Sequence, residues 1–289
     1  MRSPPEIVEN CAALLDAYDV LLCDVWGVIH DGQKAFPEAN EALTAFRARG
    51  GTVILVSNAP TPSSNVARVL DDKGVVRDAW DTIVSSGDLA LAHVRDRGWR
   101  RLHHVGPVRR DRAFFEALPG PSVEIAAAEA LACTGLVDDR RETAEHYRAM
   151  LETARGRSLP LVCANPDLVV HVGDDLLPCA GAIGALYEAM GGEVFWAGKP
   201  FPIAYDRALS EAARLRNGDV DRTRVLAVGD SIRTDLAAAA GAGVDALFIV
   251  AGIHRDDCLQ DGHIDPARLA ALFPGDGPPA KAASTALRL

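Results

Sequence analysis

Four short segments of this chain place carboxylates, a hydroxyl and a lysine directly after runs of apolar residues. The first is Asp24-Val25-Trp26-Gly27-Val28, which follows Val20-Leu21-Leu22-Cys23. A carboxylate ending a buried apolar run is costly to desolvate unless a metal, hydrogen bonds or chemistry engages it. The plainer alternative is an aspartate that caps a turn. Ser57-Asn58 ends the run Val53–Val56. Its hydroxyl and backbone amides can hold a phosphate oxygen, and the same pair also suits an ordinary turn. Gly198-Lys199-Pro200 fixes one lysine between a glycine and a proline. That charge can neutralise both a nucleophilic carboxylate and a phosphate, or it is one surface lysine among others. The strongest segment runs Val225-Leu226-Ala227-Val228-Gly229-Asp230 and on to Asp235. Two carboxylates five residues apart across a strand-to-helix turn suit Mg2+, which takes a few carboxylates and keeps several waters. The competing reading pairs a turn aspartate with an acidic residue in a first helical turn.

Each segment needs an element to hold it. A short helix is expected over 5–17, then a strand at Asp19–Cys23 stopped by Asp24 and Gly27. A helix near 37–49 ends at Gly50-Gly51, the strand Thr52–Val56 follows, and 64–74 forms a helix closed by Gly74. Between 85 and 195 the same grammar repeats, with strands at Leu102–Val105, Ala132–Val137 and Leu159–Ala164 and helices at 88–97, 111–118, 142–154 and 180–190. The first pattern resumes with strands Glu193–Trp196, Arg224–Val228 and Ala246–Val250 and helices 202–215 and 235–240. Short apolar strands alternating with amphipathic helices indicate an α/β fold, a parallel sheet covered by helices. The chain is thus expected to divide into a discontinuous core (1–84 and 196–274), an inserted α/β domain (85–195) and a loose Gly/Pro/Ala-rich tail (275–289). All four segments fall at C-terminal strand ends, the edge where open α/β sheets collect ligands.

In this order the segments resemble the four motifs of the haloacid dehalogenase superfamily, over roughly residues 18–255. An insert between the second and third motifs resembles the class IIA cap of the NagD-like sugar and nucleotide phosphatases, 4-nitrophenyl phosphatases and pyridoxal phosphatase. Asn165-Pro166-Asp167, and Leu177-Pro178 followed by Gly181-Ala182, resemble that class's cap segments. The resemblance implies a Rossmann-like core with a cap that reads the leaving group. It makes Asp24 the nucleophile that forms an aspartyl-phosphate, and it gives Trp26, Ser57, Asn58 and Lys199 to the phosphoryl group. Mg2+ would be held by Asp24, Asp230, the carbonyl of Trp26 and, through water or at second hand, Asp235. The implied substrate is a small phosphorylated metabolite, and a cap-mediated homodimer is compatible with the class.

One position departs from the family. Phosphatases of this superfamily carry an aspartate two residues after the nucleophile as general acid and base; here Trp26 stands there. Indole offers only a hydrogen-bond donor at neutral pH. Three readings follow: His30 or Asp31 substitutes, the substrate has a good leaving group, or the protein is a catalytically weak phosphate-binding or regulatory member. Phosphotransfer to a second metabolite is a further alternative. Asp230 and Asp235 argue against the metal-free dehalogenase branch. Carbon–phosphorus hydrolysis is disfavoured because no lysine lies between Lys73 and Lys199.

Composition narrows the partners. The net charge of -10, from 40 acidic and 30 basic residues, argues against a nucleic-acid or anionic-membrane surface. No apolar run reaches the ~18–20 residues of a membrane span. The six cysteines are scattered without a C-x-x-C pair, which points to reduced thiols and a cytoplasmic protein. Arg109-Arg110-Asp111-Arg112 reads as a solvated helix start, and His103-His104 lack zinc-ligand company.

Overall fold

The computed structural model describes residues 4–173 and 175–289. Its strands are, in chain order, β1 (Glu6–Ile7), β2 (Val20–Cys23), β3 (Thr52–Ser57), β4 (Thr82–Ser85), β5 (Leu102–Val105), β6 (Ala130–Cys133), β7 (Leu161–Cys163), β8 (Val169–Val172), β9 (Asp175–Pro178), β10 (Val194–Trp196), β11 (Val225–Gly229), β12 (Asp245–Ile249), β13 (Leu259–Gln260), β14 (His263–Ile264) and β15 (Ala282–Ser284). The described residues form two compact units. One draws on residues 4–57, Ala67–Val84 and Tyr205–Leu289, the other, among the described residues, on Asn58–Val66 and Ser85–Ala204.

The first unit is built on a seven-stranded sheet in the order β1-β15-β12-β11-β2-β3-β4. Neighbours from β1 through β3 pair in parallel. Every residue of β2, β3 and β11 is buried, as strands covered on both faces must be, and that is why they read as unbroken apolar runs. The chain leaves β2 for β3 on one side, while β11 continues to β12 and β15 on the other. Strand order therefore reverses between β2 and β11, the switch point where such sheets open a crevice. Register fixes what faces it. Cys23 is level with Leu55 of β3 and Val228 of β11, so Asp24, Ser57 and Asp230 all emerge at the same edge within about one residue of each other.

The second unit carries a four-stranded parallel sheet, β10-β7-β6-β5, and the antiparallel hairpin β8–β9. Its core gathers Leu131, Leu136, Leu151, Leu161, Ile183 and Tyr187. The helices Ser86–Asp96, Arg148–Gly156 and Ala180–Ala189 lie where alternation placed helices. Hairpin β8–β9 has no counterpart among the expected elements, since its strands are half exposed and only weakly alternating.

Two expectations at the termini are corrected. The helix expected over 5–17 is strand β1 followed by a single turn, Ala12–Leu15, because Glu6 and Ile7 pair with Ala282 and Ala283. The expected loose tail contains β15, inserted between β12 and β1, with Ala282, Ala283, Ser284 and Leu287 buried. The amide of Cys11 also donates to the Arg288 carbonyl at 2.8 Å. Small residues carry no periodic signal, so only the partner strands reveal this one. Deleting 275–289 should therefore cost at least about 3 kcal/mol, from lost Leu287 burial and orphaned ladder groups. Urea unfolding checks this, and an unchanged midpoint would refute a structural role for β15.

Candidate active site

At the switch point Asp24, Asp230 and Asp235 each offer a carboxylate oxygen, all within 4.8 Å of one another. Backbone bonds hold them there. The Asp24 amide donates to the Val228 carbonyl at 2.8 Å, tying the start of the loop to β11. The Val25 amide donates to Asp24 Oδ1 at 2.7 Å, and that of Ile253 to Asp230 Oδ2 at 2.7 Å. The Ser231 amide donates to Asp235 Oδ2 at 3.2 Å. Asp230 lies in a glycine cradle: a Cβ on Gly252 would fall 1.9 Å from its Oδ2, and one on Gly27, at φ +78°, 2.1 Å from it. Gly27 alone could adopt that left-handed turn and still let the carboxylate approach. The sequence reading missed Gly252 and Ile253; a glycine just past β12 was the available signal.

Three carboxylates this close repel, by on the order of 3 kcal/mol per pair at an effective dielectric of 20. Asp230 and Asp235 are buried, so water screens them poorly. An all-oxygen donor set of this kind fits a hard divalent cation.

Trp26 is half-buried and packed. Its indole meets the His30 ring edge to face at 5.2 Å, and a Cβ on Gly32 would fall 2.5 Å from the ring. Both groups offered as substitute acids are otherwise engaged. His30 is buried, its Nδ1 accepts the Gly32 amide at 3.0 Å, and its pKa is pushed down to about 4, by burial first and then by the Lys73 charge. It is uncharged at neutral pH. For Asp31, burial raises the pKa, but the amides of Lys34 and Gln33, both 2.8 Å from Oδ1, hold it below the usual carboxylate range.

Ser57 is buried at the end of β3 in this first unit. Asn58 and Lys199 belong to the second unit, where both are buried. The Asn58 side chain is bonded to Asp167, Ser86 and the backbone of Lys199. Elsewhere in that unit Arg110 pairs with Asp111 and Asp139, and Arg112 with Glu116, so the basic patch is largely neutralised locally. The His104 ring stacks on Phe115, and Nδ1 of His103 bonds the Val123 carbonyl. All six cysteines are free and buried. Among the described residues no helix is long and apolar enough to cross a membrane.

Comparison with known proteins bears on both ends of the chain. Residues 21–117 match a family model described as haloacid dehalogenase-like hydrolase, and residues 196–273 a second, HAD-hydrolase-like model. A haloacid dehalogenase-like hydrolase from Brucella suis 1330, solved by crystallography, is 39% identical with a TM-score of 0.84, covering 97% of this chain and 100% of its own. The ribonucleotide monophosphatase NagD of Escherichia coli K12 is 24% identical over 259 residues, 88% of this chain and 95% of its own. A D-glycerol 3-phosphate phosphatase of Mycobacterium tuberculosis is 28% identical over 258 residues, 84% of this chain and 65% of its own. Near-complete overlap with the Brucella hydrolase, and phosphatases throughout the more distant relatives, make this chain a member of the haloacid dehalogenase-like hydrolases, a phosphoric monoester hydrolase of the class IIA, NagD-like branch.

Proposed function

We propose that this protein is a Mg2+-dependent phosphatase of a small phosphorylated metabolite, acting through a covalent aspartyl-phosphate on Asp24. The Asp24–Asp230–Asp235 cluster at the switch point, with Asp230 and Asp235 buried, carries the reading. One Asp24 carboxylate oxygen attacks phosphorus, forming an O–P bond as the ester P–O bond breaks and its electron pair leaves with the alcohol oxygen. Water then hydrolyses the acyl phosphate, releasing phosphate and restoring the carboxylate. Asp24, Asp230, the Trp26 carbonyl and, less directly, Asp235 would hold Mg2+, which neutralises phosphoryl charge when bound. Ser57, the Asn58 amide N–H and Lys199 stabilise the equatorial oxygens of the phosphoryl group in transfer. The second unit, as a class IIA cap, selects the leaving group. Relatives named for ribonucleotides and for D-glycerol 3-phosphate support nucleotides and small polyol or sugar phosphates as the substrate class. Buried free thiols, with burial pushing Cys133 up to about 12, support action in a reducing compartment such as the cytoplasm.

The test is turnover of p-nitrophenyl phosphate, whose leaving group needs little protonation. EDTA should abolish release and Mg2+ should restore it. No Mg2+-dependent turnover on this ester or on a panel of metabolite phosphates would leave the phosphate-binding reading that Trp26 motivates. Appearance of a new ester in place of free phosphate would establish phosphotransfer.

A further inference from the structure

The side chain of Asn58 directly follows the phosphate-holding Ser57, yet it is spent on other work. Its Nδ2 donates to the Lys199 carbonyl at 3.0 Å, and its Oδ1 accepts the Lys199 amide at 2.9 Å. The carboxamide thus grips both backbone groups of one residue, as a neighbouring strand would. The second Nδ2 proton goes to Asp167 Oδ1 at 2.9 Å, and the second Oδ1 lone pair accepts Ser86 Oγ at 3.3 Å. Two donors and two acceptors exhaust what a carboxamide has. These contacts also fix which end of the amide is which, since the Lys199 N–H must meet oxygen and its carbonyl must meet nitrogen.

The surroundings are tight. Asn58, Ser86 and Lys199 are 6%, 1% and 1% exposed. A Cβ on Gly198 would fall 2.1 Å from Ser86 Oγ and 2.5 Å from Asn58 Oδ1, so the lysine's loop is pressed directly onto the grip. From Asp167 the bonding continues. Its amide donates to Asn165 Oδ1 at 3.0 Å, and its carbonyl accepts the Gly181 amide at 3.1 Å. One residue on, the Leu168 carbonyl accepts the Cys179 amide at 2.9 Å, closing the base of hairpin β8–β9.

We infer that Asn58 acts as a positioning residue for Lys199, and that Asp167 ties this grip to the base of the β8–β9 hairpin. This rests on the proposed role of Lys199 in holding the phosphoryl group. Without the carboxamide, the buried N–H and C=O of Lys199 lose these two hydrogen bonds, and the loop is no longer held by them. Misplacement of a reacting group by about 1 Å costs on the order of 10²-fold.

A double-mutant cycle on full-length protein with Mg2+ and p-nitrophenyl phosphate separates the roles. Asn58→Ala should lower kcat/KM by about 10²-fold. In a Lys199→Ala background the same change should cost less than about threefold, because an interaction routed through Lys199 is already lost. If the two losses multiply instead, Asn58 contacts the phosphoryl group itself and the inference fails. If Lys199→Ala alone is silent while the wild type turns over, the lysine's assigned role fails first. Asp167 supplies a second route should Asn58→Ala not fold. Asp167→Ala should lower kcat/KM, and Asp167→Asn, which keeps a carbonyl oxygen for the Asn58 bond, should restore most of it. Equal loss in both Asp167 variants would count against the relay.

Discussion

Asp24→Asn should reduce turnover of every phosphate ester by more than about 10⁴-fold, or about 5.5 kcal/mol of transition-state stabilisation. Removing a covalent nucleophile elsewhere costs up to about 10⁶-fold, because no neighbouring group takes over its bond. The substitution is nearly isosteric, and its carbonyl oxygen can still accept the Val25 amide now 2.7 Å from Oδ1. The loss should therefore come without unfolding. Stability should even move the other way in the absence of metal. With three carboxylate oxygens within 4.8 Å, deleting one charge relieves the repulsion between them. Thermal unfolding in EDTA should give a Tm at or above that of the wild type. Added Mg2+ should raise the wild-type Tm and raise the variant's far less, since stabilisation by a ligand follows its affinity for the folded state. Retained activity would remove Asp24 from the chemistry. An equal Mg2+ response would remove it from the metal site.

The central strands were legible because burial on both faces writes them as unbroken apolar runs. Val20–Cys23 and Val225–Gly229 have no exposed residue to interrupt the signal. Asp24 and Asp230 were legible for the complementary reason, as charges abutting those runs, and Asp235 by its spacing five residues after Asp230. What escaped depends on partners distant in sequence. Strand β15 is three small residues, recognisable only between β12 and β1. Gly252 and the Ile253 amide matter because Asp230, more than 20 residues earlier, folds against them. Asn58 shows the same limit within a motif. Sequence order set it beside Ser57, but its side-chain partners lie 28, 109 and 141 residues away, and they tie its carboxamide to Ser86, Asp167 and Lys199.

The second large effect concerns how the leaving group is protonated. Trp26 supplies no acid, His30 is neutral with its Nδ1 already accepting, and Asp31 is held ionised by two backbone amides. Phosphorus–oxygen cleavage should then depend on the leaving group's own ability to carry negative charge. Measured as kcat/KM, which reports events up to that cleavage, p-nitrophenyl phosphate should outpace a simple alkyl phosphate by about the ~10²–10⁴-fold that general acid catalysis supplies. Trp26→Asp should narrow the gap by accelerating the alkyl ester. It should also introduce a fall in rate at high pH, since an acid must be protonated to donate and is lost as pH rises through its pKa. The exchange empties the space between His30 and Gly32 where the indole packs, so some stability is lost whatever the chemistry. Trp26→Asn controls for that: it leaves nearly the same cavity and has no proton to give. Only the aspartate should rescue the poor leaving group. If asparagine rescues it equally, space rather than acidity limits the reaction. If neither does, the proton reaches the leaving oxygen by a route that does not pass through this position.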